Sequence, residues 1–312
     1  MDARERLQEL SDFAAPWSVW IAATLRLPDH IAAGDVTDEA LAACADADPD
    51  ALRRLMRYLV ARGVFAEEGG AYANTELSDL LRDDAGMRPW LDLDGAPGLW
   101  AESWSRLLAA VRTGTPGSDE SQFYVELVRT GRSASFDALM ARRIEATASE
   151  LAAAYDWSAV EHVVDVGGGT GALLRVLLAA HPHLRATLFD LPQVVGGVAP
   201  EPRLDVVAGD VFVDPIPDGE VYLLSGILHG WADEDAARIL ARLGQATVLV
   251  VEGVLGEPPS TSHAAFDLFM LTLVGGRERT LDDFARLGAS CGLAVRATYA
   301  LAAGHTVIVL SR

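Results

Sequence analysis

Apolar side chains recur at helical spacing through the start of the chain, from Leu7 to Leu27, with Pro16 interrupting the run and Pro28 ending it. A second helix is predicted after Thr37, whose hydroxyl offers an N-cap acceptor. A third begins at Pro49, a residue suited to a first helical turn, and carries Leu52, Leu55, Met56, Leu59 and Val60 to a stop at Gly63. Residues 64–66 and 71–73 read as short strands joined at Gly69-Gly70, and Thr75 is placed to cap a further helix to Leu81. Three helices and a hairpin in this order make a winged-helix pattern. Residues 87–151 are again mostly helical and rich in Trp90, Trp100, Trp104, Phe123, Tyr124 and Phe136, with residues 114–118 as the clearest loop.

Near Tyr155-Asp156-Trp157 the pattern changes, and strands begin to alternate with helices. Strands are predicted at residues 162–166, 186–190, 205–208, 221–225, 246–251, 294–300 and 306–310. Helical patterns separate the first five, which implies right-handed crossovers and a parallel sheet. The last two are joined by a short loop containing Gly304, too short for a crossover, so they should form an antiparallel hairpin. The expected organisation is a mainly α winged-helix domain over 1–86, a helical linker and substrate roof over 87–154, and a Rossmann-like α/β domain over 155–312.

Composition narrows the classes. The chain has 312 residues, half of them hydrophobic, enough for two domains of ordinary size. No apolar run approaches the roughly 18 residues of a membrane-spanning helix. The first ten residues, MDARERLQEL, lack the apolar stretch of a signal peptide, and a cytoplasmic location is expected. A net charge of −20, from 25 basic and 45 acidic residues, disfavours phosphate backbones and anionic lipid as partners. Only Cys44 and Cys291 occur, without CxxC spacing, so buried free thiols are expected and neither a disulfide framework nor a metal site.

The strongest local signal is residues 163–171, VVDVGGGTG, a strand running into glycines and then a helix. Glycine lets the backbone turn sharply and approach a ligand, with helix N–H groups facing it. A bare GxG also fits a dinucleotide loop or a structural turn. Asp165, just before the glycines, suits an ammonium group and would repel a pyrophosphate. Asp190 ends the next strand, placed for ribose hydroxyls, and Gly209-Asp210 ends the third, placed for an adenine amino group. Acids at three successive strand ends favour S-adenosyl-L-methionine over a nicotinamide or flavin dinucleotide.

The fourth strand leads into Leu228-His229-Gly230-Trp231, which puts His229 at the carboxyl edge of the sheet, where open α/β folds bind ligands. A phenol has a pKa near ~10 and is a poor nucleophile while protonated; a neutral imidazole there can take its proton. Glu252, ending strand five, and Glu278 are the carboxylates able to orient that ring and stabilise the cation it becomes. Glu278 has a competing use as a partner for Arg277 or Arg279, Glu252 as a solvent-facing strand end, and His181 and His183 lie in a polar loop.

The segments FDLP (189–192), GDVF (209–212), LHGWADED (228–235), VVEGVL (250–255) and GGRERT (275–280), in that order, resemble the class I O-methyltransferases with an N-terminal winged-helix dimerisation domain, caffeate-type plant enzymes and bacterial polyketide-tailoring enzymes among them. Residues 136–140, FDALM, and 155–160, YDWSAV, look especially like the bacterial branch. The resemblance covers nearly the whole chain. It implies that Gly167, Gly168 and Gly169 cradle the methionine portion of S-adenosylmethionine, that Asp190 and Leu191 meet the ribose, and that Gly209, Asp210, Val211 and Phe212 border the adenine. Met140 would lie near the methyl, Ser225 would stand where plant relatives often carry lysine, and His229 would be the base, flanked by Glu252 and Glu278. Trp104, Phe123, Asp267 and Met270 would line the acceptor pocket, the two aromatics having helix packing as their alternative. The sequence departs from the family in reading His-Gly-Trp at 229–231 where His-Asp-Trp is usual, and in being shortened between Pro192 and Asp205 and around residues 243–245.

Three functions compete. The first is methyl transfer to a hydroxyl, expected to be phenolic, of a small secondary-metabolite acceptor. The second is a related tailoring enzyme that binds the same cofactor for hydroxylation, decarboxylation or pericyclic chemistry, against which His229 argues. The third is a DNA-binding regulator, suggested by the winged helix and Arg53, Arg54, Arg57 and Arg62, but Asp48 and Asp50 break up any basic stripe. A homodimer built on the N-terminal helices is expected from their apolar surface and from the resemblance.

Overall fold

The computed structural model describes residues 2–115, 120–199, 201–244, 246–302 and 304–312, so the expected loop at 114–118 and the turn at 243–245 fall partly outside the described residues. The chain divides into two compact units, residues 1–101 and 102–312. No described helix is long and apolar enough to cross a membrane.

The first unit opens with α1 (Ala3–Leu10), α2 (Ala14–Thr24) and α3 (Leu27–Ala33). The single interrupted run read from the sequence is therefore three helices. Pro16 lies inside the first turn of α2 and Pro28 near the start of α3, so neither proline breaks or ends a helix. The reason is that amides in a first turn have no intrahelical acceptor, and proline loses nothing there. Next come α4 (Asp38–Cys44) and α5 (Pro49–Ala61), capped by Thr37 and Asp48 as their side chains accept from Ala40 N and Ala51 N at 3.3 and 2.9 Å. Leu52, Met56 and Leu59 form the buried stripe of α5 and pack with Leu27, Leu41 and Phe65. Strands β1 (Phe65–Glu68) and β2 (Ala71–Asn74) close through Gly69 and Gly70, both at positive φ, as a two-residue hairpin turn requires. Helix α6 (Glu76–Asp79) stops short of Leu81. Five helices precede the hairpin where three were expected. Arg53 and Arg54 are paired with Asp38 and Asp50. Cys44 is exposed rather than buried, its thiol donating to Asp35 at 3.3 Å, because it falls on the last, outward-facing turn of α4.

Helix α7 (Ala96–Ser103) leads into α8 (Leu107–Thr113), α9 (Glu120–Arg129) and the long α10 (Ser133–Ala154). The sheet is then laid down by β3 (His162–Val166), β4 (Arg185–Asp190), β5 (Leu204–Ala208), β6 (Val221–Ser225), β7 (Thr247–Gly253), β8 (Ala294–Ala300) and β9 (His305–Ser311). Its strand order is β5-β4-β3-β6-β7-β9-β8, parallel through β7, with β9 antiparallel to both β7 and β8. Helices α11 (Ala172–Ala180), α12 (Pro192–Val195), α13 (Asp233–Arg242), α14 (Thr261–Leu273) and α15 (Leu281–Ser290) complete the unit. One expectation fails: no helix joins β5 to β6. The linking stretch contains Pro215 and Pro217, which remove amide donors and push their preceding residues out of helical geometry.

Successive residues of each strand serve opposite faces. Val163, Leu223 and Leu249 join a core with Leu151, Trp157 and Leu174 on the α10–α11 side. Val164, Leu224 and Val250 join one with Ile239, Phe284 and Leu287 on the α13–α15 side. Burial on both faces explains the continuous apolar runs of the parallel strands. The strand order reverses between β3 and β6, and their outgoing loops part there to leave a crevice at the carboxyl edge.

Candidate active site

A cavity of about 280 Å³ opens at that crevice. The loop after β3 forms its floor. Gly167, at φ 77°, donates its N–H to Phe189 O at 2.8 Å, turning the chain back over the sheet. A Cβ on Gly168 would lie 2.5 Å from the Asp165 carboxylate and 2.6 Å from Leu188, so only glycine lets the backbone pass. Gly169 N and Leu191 N both donate to the Asp190 carboxylate at 2.7 Å. Gly209 is pressed against the Phe189 ring, which a Cβ would meet at 2.6 Å. Asp210 accepts from Phe212 N at 2.8 Å, and its own N–H donates to Asp214, fixing the turn that carries Val211 and Phe212. The Phe212 ring packs edge-on to Trp231, with the Arg238 guanidinium over it at 4.8 Å.

Asp165 is almost wholly buried, and its Oδ1 has no partner among the described residues. Burial, with the charge of Asp190 behind it, pushes its carboxyl up to about 7. Burial likewise pushes Asp190 up to about 6, against the two N–H groups it accepts. Once ionised, these buried acids, one with an oxygen left over, favour a cation and repel phosphates. That fits the ammonium and ribose of S-adenosylmethionine and not a dinucleotide.

The loop after β6 makes a single 3₁₀ turn, Leu228–Gly230, presenting His229. Its Nδ1 lies 3.0 Å from Glu278 Oε1, so Nδ1 carries the proton and donates, leaving Nε2 as the basic nitrogen of a residue that lines the cavity. Burial works against protonation of this ring, but the Glu278 hydrogen bond and the Glu252 charge outweigh it and Arg143, and the pKa is raised.

Glu252 does not touch the imidazole. Its Oε1 accepts the backbone N–H groups of Leu228 and His229 at 2.5 and 3.2 Å, and its Oε2 is buried without a partner among the described residues. Because it ends β7 directly beneath the turn, it holds the backbone while Glu278 holds the ring. Glu278 is not engaged by the neighbouring arginines either. Arg277 pairs with Asp233, and the fully buried Arg279 pairs with Asp233 while donating to the carbonyls of Leu228 and Trp231 at 2.6 and 2.9 Å. Arg279 thus clamps the turn from the carbonyl side, a use that the sequence did not reveal. Gly276 explains the glycine pair before these residues, since a Cβ there would fall 1.9 Å from the carbonyl oxygen of His229.

The structure brings Met140, Asp165, Gly167, Gly168, Gly169, Asp190, Leu191, Gly209, Asp210, Val211, Phe212, Ser225 and His229 to one cavity. It does not bring Trp104, Phe123, Asp267 or Met270 there. Trp104 is partly exposed and stacked on Phe269; Phe123 is buried edge-on to Phe136, and its neighbour Tyr124 lines the cavity instead. Asp267 accepts from Glu278 N at 2.8 Å, behind His229, and Met270 is core. Helical phase is the cause: a face of α9 or α14 is settled by packing, which local pattern does not specify. Sequence reasoning also passed over Arg143 and His305, which line the cavity from α10 and the start of β9. The Met140–Arg143–Thr147 spacing on one helix face was the available signal.

Comparison with known proteins gives a consistent picture. Residues 7–84 match the model of an O-methyltransferase dimerisation domain, and residues 104–294 that of an O-methyltransferase domain. The chain is 44% identical to 2,7-dihydroxy-5-methyl-1-naphthoate 7-O-methyltransferase of Streptomyces carzinostaticus, over 94% of this chain and 93% of that one. It is 39% identical to aclacinomycin 10-hydroxylase RdmB of Streptomyces purpurascens, over 93% and 84% of the two chains. Among solved structures it resembles the O-methyltransferase NcsB1 from neocarzinostatin biosynthesis, crystallised with S-adenosylmethionine and 2-hydroxy-5-methyl naphthoic acid, with a TM-score of 0.87 and 40% identity over 98% of both chains.

Proposed function

The chain belongs to the S-adenosylmethionine-dependent O-methyltransferases that carry an N-terminal dimerisation domain, and from that membership we propose that it methylates a phenolic hydroxyl of a small aromatic acceptor with His229 as general base. The observation that supports this reading best is the tethered imidazole, whose Nδ1 is held by Glu278 while its ring lines the same cavity as the orphaned Asp165 carboxylate. S-adenosylmethionine, when bound, supplies an electrophilic methyl on a sulfonium. The protein's own part is orientation and proton removal. Asp165 and Asp190 would hold the cationic and hydroxylated ends of the cofactor, and the glycine loop would admit its backbone-close approach. His229 Nε2 takes the acceptor's hydroxyl proton, and the resulting imidazolium is paired with Glu278. Glu252 and Arg279 keep the turn from yielding, one gripping its N–H groups and the other its carbonyls. The helices between residues 102 and 154 would serve as the roof, with Met140 lining the cavity on that side.

The aromatic character of the acceptor rests on the naphthoate relatives and on Phe136, Tyr124 and Phe266 around the site. A homodimer fits the matched dimerisation model and the exposed Leu7, Leu10, Phe13 and Trp17 on and between the first two helices. We also place the protein in the cytoplasm, where its cofactor is made. The decisive experiment incubates the protein with methyl-labelled cofactor and a panel of hydroxylated arenes, reading products by mass spectrometry. Label in the product, matched by S-adenosylhomocysteine, is the expected result; an oxidised or decarboxylated product without label would move the protein to the hydroxylase-like relatives. Light scattering should give about twice the 33.2 kDa chain mass.

A further inference from the structure

Arg143 is the one cation lining the cavity beside the base among the described residues. It projects from α10 one turn beyond Met140, with its guanidinium over the Phe266 ring at 5.3 Å from the centroid, and the His229 ring packs on the same Phe266 at 5.6 Å. Its hydrogen-bond partner is neutral. Arginine only donates, so His305 Nε2 must accept from Arg143 Nη2 at 3.1 Å, and the proton on Nδ1 is left to donate to Thr147 Oγ1 at 3.3 Å. Burial and the adjacent guanidinium push His305 down to about 4, which keeps it uncharged. No carboxylate forms an ion pair with Arg143 among the described residues, and the two acids that act on it from a distance are committed elsewhere, Glu278 to the imidazole and Glu252 to backbone amides. A guanidinium held by a neutral partner in an enclosed apolar site keeps a charge that wants an anion.

We propose that Arg143, positioned by His305 and Thr147, is a carboxylate subsite for the methyl acceptor, so that the substrate class is a hydroxyaryl carboxylate rather than a neutral phenol. The inference rests on the methyl-transfer reading and deepens it. The cofactor also carries a carboxylate, but Arg143 shares the Phe266 ring with His229, the residue proposed to meet the acceptor's hydroxyl. The guanidinium therefore belongs to the acceptor end.

The test is calorimetry on protein saturated with S-adenosylhomocysteine, titrated with a hydroxynaphthoic acid and with its methyl ester. The acid should bind ~10–100-fold more tightly, the worth of a charge-assisted pair. In Arg143→Gln that preference should collapse to within about threefold, and in Arg143→Lys it should survive in part, since lysine keeps the charge without the planar fork. Equal binding of acid and ester by the unaltered protein overturns the proposal. So does an Arg143→Gln protein that binds S-adenosylhomocysteine poorly while keeping its preference for the acid, because the carboxylate would then be the cofactor's. If Arg143→Gln does not fold, the unaltered protein and Arg143→Lys carry the comparison, and ratios near one in both refute it. These are binding readouts, so a protein that prefers the acid yet labels no acceptor would sink the methyl-transfer reading and leave the subsite standing.

Discussion

The two ends of the cavity are built by different means. The cofactor end is mostly backbone: glycines that nothing else can replace, N–H groups held by Asp190, and acids fixed at strand ends. The base end is made of side chains from segments far apart, with His229 after β6, Glu278 before α15, Arg143 on α10 and His305 on β9. One end is rigid because the sheet dictates it. The other is held by hydrogen bonds that single substitutions can remove, so binding of the cofactor and reaction of the acceptor should fail separately.

The sharpest test of that separation is His229→Ala, expected to lower turnover by ~10²–10⁴-fold while S-adenosylhomocysteine affinity by calorimetry stays within about threefold. A large loss of affinity would mean the ends are one unit. Glu278→Gln removes the anion that stabilises the imidazolium, and hydrogen bonds to charged groups are worth about 1.5–3 kcal/mol, so turnover should fall ~10–100-fold. It should also move the acid limb of the pH–rate profile to lower pH, because the partner that raises the His229 pKa is gone; an unmoved limb would take Glu278 out of the mechanism. At the other end, Gly168→Ala drives a methyl into Asp165 and Leu188, and overpacking of about 1–3 kcal/mol should weaken cofactor binding by roughly tenfold or more. Turnover at saturating cofactor should change far less, and an equal loss there would count against the separation. The smallest effect is on pH. Asp165 at about 7 and Asp190 at about 6 hold protons in the folded protein that the unfolded chain has lost, so ligand-free stability falls as pH climbs through that range. A cation needs the ionised carboxylate, so cofactor affinity should improve by about tenfold between pH 6 and 8, and Asp165→Asn should flatten the dependence.

The same contrast explains what was readable in the sequence. A strand entering glycines with an acid before them is a local pattern with one physical use, and the residues it named meet in one cavity. The antiparallel ending was legible because a short loop cannot carry a parallel crossover. The base end resisted because its partners meet only in three dimensions. Glu252 and Glu278 look alike in sequence as carboxylates near a histidine, and only their placement below and beside the turn decides that one grips amides and the other the ring. Arg143 sits in an ordinary ALMARR stretch, and only its helical spacing from Met140 hints that its charge faces inward. Pro16 and Pro28 misled for a related reason: a proline's effect depends on its place within a helix, and the helix starts were not visible.

Strand β9 runs against its neighbours, so the residue that begins it stands level with those that finish β7, His305 opposite Gly253. This hairpin thus returns the chain to the rim where the parallel strands deliver their groups. Lengthening or reshaping the turn between β8 and β9 is expected to shift His305, the holder of Arg143, while the His229–Glu278 pair stays put. On the proposed roles, selectivity and reactivity would lie in separate parts of the chain, one free to drift while the other is preserved.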